Sequence, residues 1–281
     1  MMVLVWIDVE WGEAVTYRAD NTLDRRQSTR RCFDVRFIVL ADCSPNCRYE
    51  SAVKLSVIIP VYNEADTVIK VIERVEAVDI DKQIIVINDC STDGTREKLE
   101  ALAPADHINI IHHDKNQGKG AAIRSGQKAV TGDIVIIQDA DLEYSPSEYH
   151  KLFYLFEEGK ADAVFGSRYS GRDLLVDSFW HYVGNKFLTL FSNALANIHL
   201  TDMETCYKMI RADIFKAIDI ECNCFGFEPE ITAKLAKIHC RIYEVPISYE
   251  ARRFDEGKKI GVWDGVKAMY YIVKFNLFRR G

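Results

Sequence analysis

Several absences narrow this chain before any motif is read. No apolar run approaches the roughly 20 residues needed to span a bilayer, so no segment is expected to cross a membrane. The eight cysteines include no Cys-x-x-Cys pair, and no signal peptide with an apolar core is visible. Neither a disulfide scaffold nor a zinc ribbon fits such scattered thiols, and a reducing, cytoplasmic setting follows. Excess positive charge is missing too. Lys and Arg number 36 against 42 Asp and Glu, a net charge of -6, which speaks against a nucleic-acid binder held by bulk electrostatics.

What is present is a globular composition, 48% hydrophobic over 281 residues, enough for one large α/β domain or two small ones. Residues 1–53 stand apart. Met1 to Trp11 is apolar and acidic, Arg25 to Arg31 is strongly basic, and no helix or strand period persists. They read as a poorly ordered appendage, or as an extension from a misplaced start. From Lys54 the pattern becomes regular. Segments 55–61, 83–88, 108–112, 133–138 and 162–166 read as buried strands. Between them Val68, Val71, Ile72, Val75 and Val78 recur at helical spacing, Ser91, Thr92 or Asp93 caps a second helix, and 120–130 and 146–158 give two more. This alternation predicts an α/β, Rossmann-like, doubly wound and mostly parallel sheet over residues 54–281.

After Arg168 the alternation weakens into a long helix at 179–197, a strand at 205–210, a helix at 228–237 and a last strand at 241–249. Glu228 and Glu230 flank Pro229 at a helix start, where capping and dipole complementarity account for them. Near the end, Val262, Val266, Met269, Tyr270, Val273 and Leu277 recur every three or four residues among Lys267, Lys274, Arg279 and Arg280. This predicts a carboxy-terminal amphipathic basic helix that either packs onto the domain or lies on a membrane surface, the second being preferred.

The chemistry concentrates in loops that follow strands. The run 132–138 ends in Asp139, Asp141 and Glu143, carboxylates at alternate positions where an open α/β sheet places its ligand crevice. Such crowding suits either a solvated acidic turn or a hard cation, Mg²⁺ or Mn²⁺, whose shell is completed by substrate phosphate oxygens. Pro60-Val61-Tyr62-Asn63-Glu64 ends the first strand with groups that can meet a base or ribose, or cap a helix. Asp89 ends the second and can accept from a nucleobase or ribose hydroxyl. Asn116-Gln117-Gly118-Lys119-Gly120 lacks the Walker spacing, yet it lets backbone approach an anion at a helix start. Arg168, in Gly166-Ser167-Arg168-Tyr169, offers a planar fork for phosphate. Asp202 precedes a strand, where it either orients a sugar hydroxyl or the acceptor, or serves a plain turn.

Taken in order, Pro60 to Glu64, Asn88 to Thr95, the Asp139-Ala140-Asp141-Leu142-Glu143 box, Gly166 to Tyr169, Thr201-Asp202 with Cys206-Tyr207-Lys208, and Glu244 to Tyr249 resemble family 2 glycosyltransferases. Within that family the resemblance is to dolichyl-phosphate mannose synthases and bacterial polyprenyl-phosphate hexosyltransferases. It spans about residues 54–278 and implies a GT-A type fold, with a nucleotide-sugar half at 54–168 and an acceptor half at 169–281. Pro60, Tyr62, Asn63, Glu64, Asp89, Lys119, Asp139 and Ala140 then bind a nucleotide diphosphate sugar of the UDP-glucose or GDP-mannose class. Asp141 and Glu143 hold the metal; the family often has Gln at the latter place. Arg168, Arg252, Arg253 and Lys258 meet the acceptor phosphate, and Asp139, Asp141, Arg168 and Asp202 form the catalytic group. The chain departs from the pattern at Trp180-His181-Tyr182, where mannose synthases usually carry a further arginine; His181 or Lys186 is the substitute.

The implied reaction is inverting, metal-dependent hexose transfer to a polyprenyl phosphate at the cytoplasmic membrane face by a peripheral protein. A phosphate monoester has its second pKa near 6, so the acceptor is already a nucleophile and needs no strong base. Two rivals keep a similar fold. A soluble or polysaccharide acceptor is disfavoured because the Gln-x-x-Arg-Trp motif and membrane helices of processive synthases are absent. A sugar nucleotidyltransferase calls for a Gly-rich basic signature after the first strand, where this chain has Pro60 to Glu64.

Overall fold

The computed structural model describes residues 53–171, 178–224, 226–250 and 262–278. The amino-terminal appendage, except Val53, and Arg252, Arg253, Lys258, Arg279 and Arg280 lie outside them.

Seven strands form one sheet: β1 (Leu55–Val61), β2 (Lys82–Asn88), β3 (Ile108–His112), β4 (Ile134–Ile137), β5 (Ala163–Ser167), β6 (Lys208–Arg211) and β7 (Ile242–Pro246), in the order β3-β2-β1-β4-β6-β5-β7. β1 pairs in parallel with β2 and β4, β2 with β3, and β5 with β7. The apolar run of β1 is buried on both faces, Leu55, Val57, Ile58 and Ile59 being fully covered, as a strand between two helical layers requires. Strand order turns back between β1 and β4, the switch point where such sheets open a crevice at the carboxyl ends of their strands.

β6 departs from the expected parallel arrangement. It runs antiparallel to both β4 and β5, with Lys208 opposite Phe165 and Ile210 opposite Ala163. The cause lies in the connection. After β5 the chain forms an 18-residue helix, Phe179–Ala196, and returns at the edge where β5 left, so β6 enters the sheet from its carboxyl end. Residues 201–207, which precede β6, are thereby brought to the crevice.

Eight helices are found among the described residues: α1 (Val68–Glu76), α2 (Thr95–Glu100), α3 (Lys119–Gln127), α4 (Tyr149–Glu157), α5 (Phe179–Ala196), α6 (Ala212–Ala217), α7 (Phe227–Lys237) and α8 (Val262–Val273). α1 turns Val68, Val71, Ile72 and Val75 into the core at the predicted spacing. The cap of α2 differs from expectation. Gly94 occupies it with φ 92°, and Asp93 accepts from the N–H and hydroxyl of Thr95 at 3.1 and 2.5 Å. α6 was not anticipated, and the last strand is shorter than 241–249.

Glu230 also differs from a helix cap. Fully buried, it accepts from the N–H groups of Glu221 and Cys222 at 2.7 and 2.8 Å and pairs with Lys234 at 2.6 Å. It thus fixes a strap at 220–224, which Arg124 of α3 also holds through Ile220 O and Asn223 Oδ1. The strap lies on the first turn of α3, where Gly120 N–H donates to Asn223 O at 2.9 Å and a Cβ on Gly120 would stand 2.0 Å from Cys222 O.

α8 packs onto the domain, but through residues other than the stripe of Val266, Tyr270 and Leu277 that the sequence singles out. Ala268 and Ile272 are buried, as is Phe275 in the π-helical turn Lys274–Phe278, while Trp263, Val266, Tyr270, Leu277 and Phe278 are exposed. α5, which packs against α8, exposes Phe179, Trp180, Phe187 and Leu190. No helix among the described residues is long and apolar enough to cross a membrane.

The strap predicts a contrast between two glycines. Gly120→Ala drives a methyl into backbone and should cost about 3 kcal/mol. Gly94→Ala meets nothing within 4 Å and should cost only the left-handed penalty, about 1 kcal/mol. Urea denaturation of both variants, with unchanged slope, checks this.

Candidate active site

At the carboxyl edge the sheet delivers three groups of side chains. The first surrounds Lys119 at the start of α3. Its ammonium lies 2.9 Å from Asp139 Oδ1, just past β4, and 2.9 Å from Glu228 Oε1 on α7. Burial works against this charge, but the two carboxylates override it and hold the lysine well above its ordinary range. Beside it Asp89, 3% exposed, accepts from Gln117 N–H and Gly118 N–H at 2.9 and 2.7 Å and faces His113 Nδ1 at 2.7 Å. Its oxygens therefore hold the glycine loop in place. Asn63, at φ 54°, donates its N–H to Ser91 Oγ at 3.0 Å and accepts from Thr92 N–H at 2.8 Å. Glu64 Oε2 accepts from the Thr67 hydroxyl at 2.8 Å. Asn63, together with the Glu64 N–H that donates to Thr95 Oγ1 at 3.1 Å, stitches the β1 and β2 loops together, while Tyr62 is 43% exposed, Pro60 near the end of β1 is half-buried and Ala140 is buried.

The second group is the carboxylate box. Leu142 takes φ 66°, which folds the turn so that Asp141 Oδ1 accepts from Glu143 N–H at 3.1 Å. Glu143 Oε2 accepts from Tyr249 OH at 2.6 Å, and burial with the neighbouring Tyr144 and Glu143 pushes that phenol far above its ordinary range. No group of three His, Cys, Asp or Glu among the described residues is arranged to hold a metal ion. Two hard oxygen side chains without a third fit a cation that takes its remaining ligands from substrate phosphates. Asp139 is paired with Lys119, which leaves Asp141 and Glu143 as the carboxylates of the box that Lys119 does not engage.

The third group is built on Arg168. Its Nε and Nη2 donate to Asp202 Oδ2 and Oδ1 at 2.7 and 2.8 Å, and its backbone N–H donates to the same carboxylate at 3.1 Å. Asp202 is fully buried. Burial alone would raise its pKa, but Arg168 outweighs it and holds the carboxyl below the usual value. Asp202 thus positions Arg168 rather than facing a sugar. The guanidinium lies over the rings of Tyr249 and Tyr169 at 5.1 and 5.5 Å, and Lys186 Nζ lies over the same Tyr169 ring at 5.1 Å. Lys186 therefore shares a ring with Arg168.

Three contributors escaped the sequence reading. Glu228 looked like a cap; the Glu228-Pro229-Glu230 pair of buried acids was its only signal. Lys208 is fully buried, and its ammonium donates to Met203 O at 2.8 Å and to Thr205 O and lies over Phe165 at 4.9 Å. Burial holds it below the ordinary lysine range. Glu204 stands in the loop between Asp202 and β6, and burial with the neighbouring Glu228 pushes its carboxyl up to about 7.

Comparison with known proteins agrees with this geometry. The family model for glycosyl transferase family 2 matches residues 56–219. An undecaprenyl-phosphate mannosyltransferase from Micrococcus luteus is 29% identical over 215 residues, covering 73% of this chain and 86% of that protein. A dolichol-phosphate mannosyltransferase from Pyrococcus furiosus is 26% identical over 79% of this chain, which spans only 64% of that longer protein. Among solved structures, glucosyl-3-phosphoglycerate synthase from Mycobacterium tuberculosis, in complex with Mn²⁺, UDP and phosphoglyceric acid, superposes with a TM-score of 0.62 at 18% identity, covering 82% of this chain and 80% of that one. Mannosyl-3-phosphoglycerate synthase from Rubrobacter xylanophilus gives 0.61 at 19% identity, over 79% and 72% of the two chains. The fold is of the GT-A type, and the chain belongs to glycosyltransferase family 2.

Proposed function

We propose that the protein transfers a hexose, with inversion, from a nucleotide diphosphate sugar to the phosphate of a polyprenol at the cytoplasmic face of a membrane. The observation that carries this reading is the placement of a carboxylate box and a preorganised Arg168 on one sheet edge of a protein that also exposes an apolar face on α5 and α8. Relatives named for undecaprenyl and dolichol phosphate support the acceptor class.

In this reading residues 54–168 chiefly hold the donor and 169–281 the acceptor. Asp141 and Glu143 would hold Mg²⁺ or Mn²⁺, which when bound supplies positive charge for the departing diphosphate. Lys119 neutralises Asp139, so the donor phosphates meet less repulsion. Arg168, locked by Asp202 through Nε and Nη2, keeps Nη1 for the acceptor phosphate, and Lys186 adds a second positive charge beside it. Arg252, Arg253 and Lys258 are further proposed acceptor contacts. The acceptor's ionised oxygen attacks directly, so the remaining work is electrostatic and orientational. The exposed apolar face favours a lipid acceptor over a soluble one.

Purified protein given Mn²⁺, UDP-glucose or GDP-mannose and a short polyprenyl phosphate should form lipid-linked hexose; transfer only to water-soluble phosphate acceptors would defeat the assignment. Asp141→Asn should lower turnover by about 100-fold or more with little change in melting temperature. Arg168→Lys keeps the charge but loses the fork, and its turnover should fall at least about tenfold.

Membrane contact is testable by point changes, because α8 also fills the core. Replacing exposed Trp263, Tyr270 and Phe278 by Ser should weaken co-sedimentation with anionic liposomes at least about tenfold, while UDP or GDP affinity stays within about twofold. Equal liposome binding by both proteins would remove the membrane from the proposal.

A further inference from the structure

The strongest unexplained group is the Glu204 carboxylate. Its Oε1 is buried and has no hydrogen-bond partner, and the neighbouring Thr205 Oγ1 is buried and unpartnered as well. The surrounding loop is otherwise tightly held. Two residues before Glu204, Asp202 grips Arg168; two residues after it, Cys206 Sγ lies 3.7 Å from Ile137 O, at the end of the strand that leads to Asp139. Glu204 therefore belongs to the loop that runs from the partner of the arginine assigned to the acceptor to the strand end assigned to the donor.

The groups that face it are Glu228 from α7, Lys208 from β6, Arg168 after β5 and Asp202 from its own loop. The cations are engaged elsewhere. Lys208 donates to two backbone carbonyls, Arg168 to Asp202, and Lys119 bridges Asp139 and Glu228. A buried acceptor without a donor lowers stability, so a matching ligand group gains from supplying one. A phosphate is unsuited, because Glu204, Glu228 and Asp202 would repel it. A neutral hydroxyl suits the place.

We infer that Glu204 is a specificity residue that accepts a hydrogen bond from a hydroxyl of the donor hexose. This rests on the nucleotide-sugar reading above and names the sugar contact within it. A site built to bond a hydroxyl rejects the analogue lacking it, since the buried oxygen is then left unpaired. Because burial beside Glu228 pushes the carboxyl up to about 7 and the ionised form is the better acceptor, the hexose contribution to binding should strengthen as pH rises through that value.

The test is calorimetric and needs no acceptor. UDP and GDP, UDP-glucose and GDP-mannose, and forms of these donors lacking one sugar hydroxyl at a time, are titrated in Mn²⁺ into wild type, Glu204→Gln and Glu204→Ala between about pH 6 and about pH 8. Nucleotide affinity should stay within about twofold in both variants, whereas the added affinity due to the hexose falls about 10- to 100-fold. One hydroxyl deletion should reproduce that loss in wild type and cost nothing further in Glu204→Ala. The pH dependence of the hexose contribution should vanish in Glu204→Gln. Equal hexose contributions in wild type and Glu204→Gln, or identical hydroxyl penalties in wild type and Glu204→Ala, would overturn the inference. Should neither variant fold, wild type still decides: the inference falls if no single hydroxyl deletion weakens binding by more than about threefold. Wild type that binds neither UDP nor GDP overturns the donor reading and this inference together. Wild type that binds donor normally but makes no lipid-linked hexose overturns only the acceptor assignment, and Glu204 keeps its role.

Discussion

Lys119 reaches from the first turn of α3 to carboxylates supplied by the end of β4 and by α7, and the rest of the site depends on that bridge. Asp139, Asp141 and Glu143 alternate along one short segment, so ionised together they repel one another and would repel a diphosphate more strongly still. An ammonium 2.9 Å from Asp139 removes one of those charges from the balance. The same ammonium draws Glu228 to the crevice from the other side of residue 168, joining segments far apart in sequence. Its position depends in turn on Gly118 and Gly120, which let the start of α3 lie against the strap carbonyls, and on Asp89, which holds the loop from below.

A second ion pair organises the opposite side. Arg168 and Asp202 belong to segments joined through α5, and they meet because β6 enters the sheet at the edge where β5 leaves. Burying such a pair is favourable only when the remaining polar atoms are bonded as well. Asn185 Nδ2 on Asp202 at 3.3 Å, and Glu244 on the N–H groups of Thr201 and Asp202, meet that condition.

Much of this was legible in the sequence. The strands of the first half follow from apolar runs broken by turn formers, and Asp139 and Arg168 stand where a strand end meets the crevice. The direction of β6 was not legible, because a four-residue strand carries no signal of its orientation and only the path through α5 decides it. Nor was the role of Glu228: an acid at a helix start is ordinarily a dipole partner, and only tertiary contact shows it facing Lys119. Asp89 and Asp202 stand out in the sequence, yet their partners in the structure are other protein groups. A sequence motif marks such a residue without saying whether it touches the ligand or holds the one that does.

The exposed apolar surface has a practical consequence for anyone handling the protein. α5 and α8 carry it on one side while their other sides supply Thr189, Ser192, Ala268 and Ile272 to the interior. A detachable anchor can be trimmed to gain solubility, but these helices cannot, since removing either strips the fold of packing. Improving behaviour in detergent-free buffer must therefore proceed one outward side chain at a time, starting with Trp180 and Trp263, which are 75% and 78% exposed.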